Sequence, residues 1–391
     1  MSDPVVICSF ARTPMGGFQG ALSSVKATDL GAAAVRAAVE RAGVADVQQI
    51  YMGCVLPAGL GQAPARQAAL GARLGLQVEA TTVNKMCGSG LQAAMMAHDA
   101  LLAGTADVIV AGGMESMSGA PYLMAKHRSG ARIGHDVISD SMYLDGLEDA
   151  YEPGKLMGAF AEETARDYQF TREAQDAYAL ESLKRALAAI EGGAFDAEIT
   201  PVEVKSRKGT ETVSRDEQPG KADPAKIPNL KPAFSKDGTI TAANASSISD
   251  GAAALVMTRE SVARAMGLPI VARIVAHAAH AHEPAKFATA PVPAMQKVLT
   301  KAGWSVDDVD LWEVNEAFAV VAMVALHDLG IDHARLNVNG GATALGHPIG
   351  ASGARVLTTL LSALQARGGR RGVASLCIGG GEAVAMAVEL A

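Results

Sequence analysis

An α/β fold assembled from two similar halves, with a different segment inserted between them, is predicted by three observations. Strand-like apolar runs such as "IYMGCVL" and "ADVIVAGG" alternate with stretches of helical periodicity, the pattern of α/β units. Aromatic residues make up only 4% of the 391 positions while alanine is abundant, which suits tightly packed helices on sheets rather than an all-β sandwich. The third observation is an internal repeat. Ala42-Gly43 in "AVERAGVADVQQIYMG" and Ala302-Gly303 in "VLTKAGWSVDDVDLWE" lie 260 residues apart, and Gly90 and Gly350 keep that offset.

The first half reads as a helix ending at Ala42-Gly43, a short strand to Gly53, and a glycine corner "NKMCGSG" at 84–90. An all-apolar helix "LQAAMMAHDALLAG" and the strand "ADVIVAGGMES" follow. The second half repeats the order: a helix to Ala302-Gly303, a strand to Glu313, the corner "ALGHPIG" at 344–350, the helix "ASGARVLTTLLSAL" and the strand "GVASLCIGGGEA". A helix apolar on every side belongs between two sheets. The segment 119–249 is richer in charge, proline and turn signals. It holds one amphipathic helix at 171–193, started by Thr171 with Glu173 close behind and ended by Gly192-Gly193. This segment is expected to form a lid or substrate-binding region.

The repeat bears on chemistry. At the offset of 260, Cys87 falls on His347. Packing of the halves about a twofold-like axis would place a thiol and an imidazole on matching corners. A cysteine at a helix N-terminus faces unpaired N–H groups and the positive end of the dipole, which favours thiolate. Four segments then stand out: "NKMCGSG" at Cys87, "EVNEAFA" at Asn315, "GGATALGHPIGASGAR" at His347 and "CIGGGEA" at Cys377. A Cys–His pair supplies a nucleophile and its activator, glycine N–H groups can hold an oxyanion, and a second cysteine can move a proton.

Several classes are excluded. A net charge of −7 without a basic run, together with few aromatics, argues against a nucleic-acid binder. The apolar runs are too short to span a bilayer. The start of the chain lacks a secretory pattern and its end lacks a peroxisomal or reticulum address. The cysteines, Cys8, Cys54, Cys87 and Cys377, are scattered, so a reducing, cytoplasmic setting is expected rather than a disulfide framework. Cys8 and Cys54, in apolar strands, read as structural. The triplet His277, His280 and His282 offers no clean ligand face, and no acidic or thiol ligand completes it, so no metal is expected. His98 reads as a satisfied or partly exposed histidine.

Together the four segments, with "SKDGTITAANASSISDGAAALVM" at 235–257, resemble the thiolases, in the acetyl-CoA acetyltransferase branch. The resemblance spans essentially the whole chain. It implies a five-layered α-β-α-β-α core from two similar halves: 1–118 plus 250–268, and 269–391, with 119–249 as the inserted loop domain. It implies that Cys87 takes the acyl group as a thioester, that His347 activates it and contributes to an oxyanion hole, and that Asn315 holds a water there. Cys377 would deprotonate the second acetyl-CoA, and the N–H groups of Cys87 and Gly379 would form a second oxyanion hole. Met157, Phe234, Ala242 and Ser246 would contact coenzyme A.

By the same resemblance, two acetyl-CoA are interconverted with acetoacetyl-CoA and CoA, with coenzyme A thioesters as substrates and no permanently bound cofactor. A homotetramer or homodimer is implied, with 119–145 as an oligomerisation loop. The alternatives are a thiolase for longer 3-ketoacyl chains, a non-catalytic coenzyme A-binding relative and a cysteine hydrolase. A ketosynthase usually pairs its cysteine with two histidines, and here only His347 falls in such a segment. Two departures from the family are visible: Leu156-Met157 stand where short-chain members commonly have His-Met, and Glu382-Ala383 where Gln-Gly is common. For the 3′-phosphate of coenzyme A, Arg207, Lys208, Arg215 and Lys221 are all candidates.

Overall fold

Two helices that the repeat pairs end in the same way. The first, α1 (Ala27–Ala42), stops at Gly43 with φ 67°, and its counterpart, Pro291–Ala302, stops at Gly303 with φ 69°. Both glycines adopt the left-handed turn that other residues avoid. A computed structural model of the chain describes residues 3–207 and 209–391.

The first half contains β1 (Val5–Arg12), α1, β2 (Gln49–Gly53), α2 (Pro64–Gly71), β3 (Glu79–Val83), α3 (Ser89–Leu102) and β4 (Val108–Ser116). The insertion carries α4 (Met157–Asp167) and α5 (Arg172–Glu191), after which β5 (Ser249–Arg259) and α6 (Glu260–Met266) return to the first half. The second half contains β6 (Ala272–Ala281), α7 (Pro291–Ala302), β7 (Leu311–Val314), α8 (Ala319–Leu329), α9 (Ala342–Leu345), α10 (Ser352–Arg367), β8 (Arg371–Ile378) and β9 (Glu382–Leu390).

The strands follow the order β7-β8-β9-β6-β1-β5-β4-β2-β3. In the first half β1 is antiparallel to β5, β5 antiparallel to β4, and β4 parallel to β2. The second half repeats those orientations through β6, β9, β8 and β7. Among the described residues, the strands of the two half-sheets pair where Val6 and Ile7 meet Arg273 and Ala272. Helices α1 and α2 cover the outer face of one half-sheet, α7 and α8 that of the other, while α3 and α10 pack on each other and against both. The result is the five-layered α-β-α-β-α order.

The central layer explains the two apolar helices. Every residue of α10 from Ser352 to Leu364 is buried. The two helices cross near their N-termini at backbone contact. A Cβ on Gly90 would lie 2.6 Å from the Ala354 nitrogen, and one on Gly353 2.2 Å from the Leu91 nitrogen. This crossing brings the corner of Cys87 to the corner of His347.

Within the insertion, α5 begins where the sequence predicts. The Thr171 hydroxyl accepts the Ala174 N–H at 3.2 Å, and Gly192 follows the last turn. Buried polar anchors fasten this segment to the core. Arg12 of β1 pairs with Glu198 at 2.5 Å and Asp216 at 2.7 Å. Glu316, just after β7, accepts from Tyr178 and Ser182 of α5, from Asn337, and from Thr343 at the start of α9. Glu316→Ala would strand these buried donors. The expected result is a loss of roughly 3 kcal/mol or more, read as a drop in thermal midpoint, because an unpaired buried polar group carries its full desolvation cost. Among the described residues, no helix is long and apolar enough to cross a membrane.

Candidate active site

The chain turns sharply between β3 and α3. The Asn84 side chain accepts the Met86 N–H at 3.1 Å, the Lys85 N–H donates to the Ser89 hydroxyl at 2.8 Å, and that hydroxyl donates to the Met86 carbonyl at 2.6 Å. Met86 is held at φ 46°, a left-handed conformation that costs a residue with a side chain. The Lys85 ammonium is ion-paired with Glu382 of β9, which ties the turn to the second half. The outcome is Cys87 fixed just ahead of α3 and partly exposed to a cavity.

Burial pushes the Cys87 thiol up to about 11, against the pull of the Gly379 N–H and its own N–H, which favour thiolate. The thiolate expected from the helix end is therefore overruled at rest: removal from water outweighs those donors. Cys87 needs a base. Because the resting pair is a thiol and a neutral imidazole, alkylation by iodoacetamide should accelerate about tenfold per pH unit between pH 7 and 10, following the thiolate fraction. A rate already level below pH 7 would instead reveal a preformed thiolate–imidazolium pair.

His347 presents a neutral imidazole to the same cavity. It lies buried after α9, its backbone N–H directed at the Ser247 carbonyl at 3.1 Å. Burial and nearby Arg355 lower its imidazolium to about 3, so the ring is neutral across the physiological range. The Ser352 hydroxyl donates to the Pro348 carbonyl at 3.0 Å and touches His347 Nδ1 at 2.6 Å. With its one proton used, that hydroxyl accepts from Nδ1–H, which leaves the Nε2 lone pair free. Ser352→Ala should lower kcat roughly 3- to 10-fold with little change in KM, the worth of one orienting hydrogen bond.

Cys377, near the end of β8, is buried, and its thiol is raised well above the ordinary value by burial and by the neighbouring Cys87. Gly379 and Gly380 follow it and line the same cavity. Asn315 is buried behind His347: its amide nitrogen lies 3.5 Å from each ring nitrogen, and its carbonyl oxygen faces Arg355 at 3.4 Å. It is not among the residues lining the cavity.

The cavity encloses about 870 Å³. Cys87, His347, Cys377 and Gly379 line it together with Met157, Phe234, Ala242 and Ser246, so the catalytic and coenzyme A-binding sets expected from sequence share one space, apart from Asn315. Leu156 also lines it. No lysine or arginine is among the described residues lining it, and Lys221 is instead ion-paired with Glu217. Lys208 lies outside the described residues.

Three groups of site residues escaped the sequence reading. Tyr143, Leu144 and Tyr151 form part of the wall, from a segment without recognisable periodicity. Ser352 carried a signal, being five residues after His347 at a helix start. Glu115, a lone acid in the apolar β4, carried one too: it accepts the N–H groups of Val55, Leu56 and Gly350 at 2.9, 3.1 and 2.8 Å and so binds the His347 corner to β4. Burial raises its carboxyl to about 7 despite those donors.

Comparison with known proteins agrees with this geometry. Residues 5–261 match the family model "Thiolase, N-terminal domain", and residues 268–390 match "Thiolase, C-terminal domain". The chain is 53% identical over 388 residues to an acetyl-CoA acetyltransferase of Escherichia coli (strain K12), covering 98% of each. It is 51% identical over 391 residues to acetyl-CoA acetyltransferase 2 of Arabidopsis thaliana, covering 99% of this chain and 97% of that one. An acetyl-CoA acetyltransferase of Pseudomonas aeruginosa is 50% identical over 386 residues, covering 98% of each. With its fold, its corner residues and these full-length matches in agreement, the chain belongs to the thiolase family.

Proposed function

We propose that this enzyme interconverts two acetyl-CoA with acetoacetyl-CoA and free CoA through an acyl group carried on Cys87. The observation that carries the reading is the meeting of Cys87, His347, Cys377 and the Gly379 N–H in one cavity. Thioester exchange needs a nucleophile that is also a competent leaving group, which cysteine provides better than serine.

The proton balance assigns each group a task. His347 Nε2 takes the proton of Cys87, and the thiolate attacks the carbonyl carbon of acetyl-CoA. The N–H groups of Cys87 and Gly379 receive the developing oxyanion. The bond to CoA sulfur breaks, and the departing thiolate takes the proton of Cys377, which is held protonated until that moment. Cys377 is then the thiolate base that removes a methyl proton from the second acetyl-CoA. Protonated His347 donates to the enolate oxygen, and Asn315 positions its ring or a water beside it. The enolate carbon attacks acetyl-Cys87, whose sulfur leaves and recovers its proton from His347. Thiolysis is the reverse.

Met157, Phe234, Ala242 and Ser246 contact the coenzyme A arm. For its 3′-phosphate, Arg207, Lys208, Arg215 and Lys221 are the candidates. No bound cofactor is required by this sequence of steps. The enzyme works as a homotetramer or homodimer in a reducing, cytoplasmic setting; four free cysteines and exposed Tyr122, Ile133 and Val137 in the 119–145 loop support that.

The test is intact-mass and peptide mapping after brief exposure to acetyl-CoA. One acetyl group on the peptide holding Cys87, absent in Cys87→Ser and discharged by free CoA, is the expected result. No adduct on a protein that still binds acetyl-CoA would overturn the proposal.

A further inference from the structure

The histidine triplet of β6 does not act as a unit. His280 faces Lys297, at 3.0 Å, and His282 faces the Lys286 carbonyl, at 2.8 Å. His277 points elsewhere, across the joint between the halves, to the last turn of α3. Its Nε2 lies 2.9 Å from Asp99 Oδ1 and 3.2 Å from His98 Nδ1, and the latter two atoms are 3.0 Å apart. The acidic partner missing from the triplet in sequence is thus supplied by the other half of the molecule.

This triangle has the dimensions of a metal face. A tetrahedral ion with bonds of about 2.0–2.1 Å holds its ligands about 3.3–3.4 Å apart. The edges observed are 2.9, 3.0 and 3.2 Å, so shifts of a few tenths of an ångström would admit an ion. The two histidine side chains are 14% and 17% exposed, which fixes their rings, and Asp99 is 63% exposed, which leaves an entry path. The rings stand edge to face with centroids 4.9 Å apart, and their facing nitrogens lie 3.2 Å from each other. Asp99 is also oddly placed for a helix, since a negative charge in the last turn opposes the dipole and no basic residue accompanies it there. A cation held between Asp99 and the two imidazoles removes that penalty.

We propose that His98, Asp99 and His277 form a binding site for a divalent first-row transition ion of the zinc type. Two imidazole nitrogens and one carboxylate oxygen favour such an ion over magnesium or calcium, which take oxygen ligands. A fourth position remains for water. The ion would be structural: it links α3 of one half to β6 of the other and is separate from the cavity of Cys87.

Zinc is the probe. Crystals of the wild-type protein soaked in zinc chloride, with diffraction measured on both sides of the zinc edge, are expected to show an anomalous peak within bonding distance of His98 Nδ1 and His277 Nε2. In solution, zinc should bind the chelator-treated protein and raise its thermal midpoint. His277→Gln and Asp99→Asn should each weaken that binding at least about 100-fold, whereas Cys87→Ser should not. Two substitutions on different elements guard against one that fails to fold, and the diffraction experiment needs neither. No anomalous peak at the triangle, or zinc binding abolished by Cys87→Ser and indifferent to His277→Gln, would overturn the proposal and leave two histidines hydrogen-bonded to Asp99.

Discussion

Cys87→Ser should reduce turnover by at least about 10⁴-fold, some 5.5 kcal/mol of transition-state stabilisation, while acetyl-CoA still binds. The size of the loss follows from the site. The thiol is already raised to about 11 by burial, and two N–H groups and one neutral imidazole must offset that. A serine hydroxyl starts several units higher and gains no comparable help, so its population of anion becomes negligible. An acyl-serine would also be a poor intermediate, because an alkoxide leaves far less readily than a thiolate when the enolate attacks. Steady-state condensation rates, with binding measured separately by calorimetry, check both parts. A serine variant within tenfold of wild type would place the acyl group elsewhere.

Cys377→Ala separates the two halves of the reaction. The variant should condense two acetyl-CoA about 10³- to 10⁴-fold more slowly, the worth of a positioned general acid and base. Acetyl-Cys87 should still form, more slowly because the departing CoA thiolate must take its proton from water, and should accumulate because condensation no longer consumes it. The variant should also fail to exchange the methyl protons of acetyl-CoA with deuterated water, a readout that reports proton removal from carbon alone. Full condensation by this variant would move the base to another group and would revive a hydrolase-like reading, for which Cys87 and His347 suffice.

Much of this site was legible in the sequence because the repeat is a statement about geometry. An offset of 260 set Cys87 against His347, and the structure brings the N-termini of α3 and α10 together through Gly90 and Gly353. The all-apolar character of both helices likewise pointed to a layer between sheets. The protonation state of Cys87 was not legible, since a helix N-terminus and burial oppose each other and only the folded molecule shows which is larger. Glu115 acts on backbone N–H groups and Ser352 on the ring of His347, contacts that residue identity signals only through an acid in an apolar strand and a serine at a helix start five positions after a histidine. The partners of His277 were not legible for a different reason. Local spacing was weighed within β6, while its partners come from a helix almost 180 positions earlier.

The central layer has a further consequence for how this chain can be divided. Because α3 and α10 each rest on both half-sheets, neither half possesses a complete interior. Cutting the polypeptide in the exposed part of the insertion should yield two fragments that are each insoluble or molten alone, yet regain activity when produced together. The active site is then a property of the seam, and any pressure that loosens the seam by a fraction of an ångström is felt first as lost chemistry and only later as unfolding.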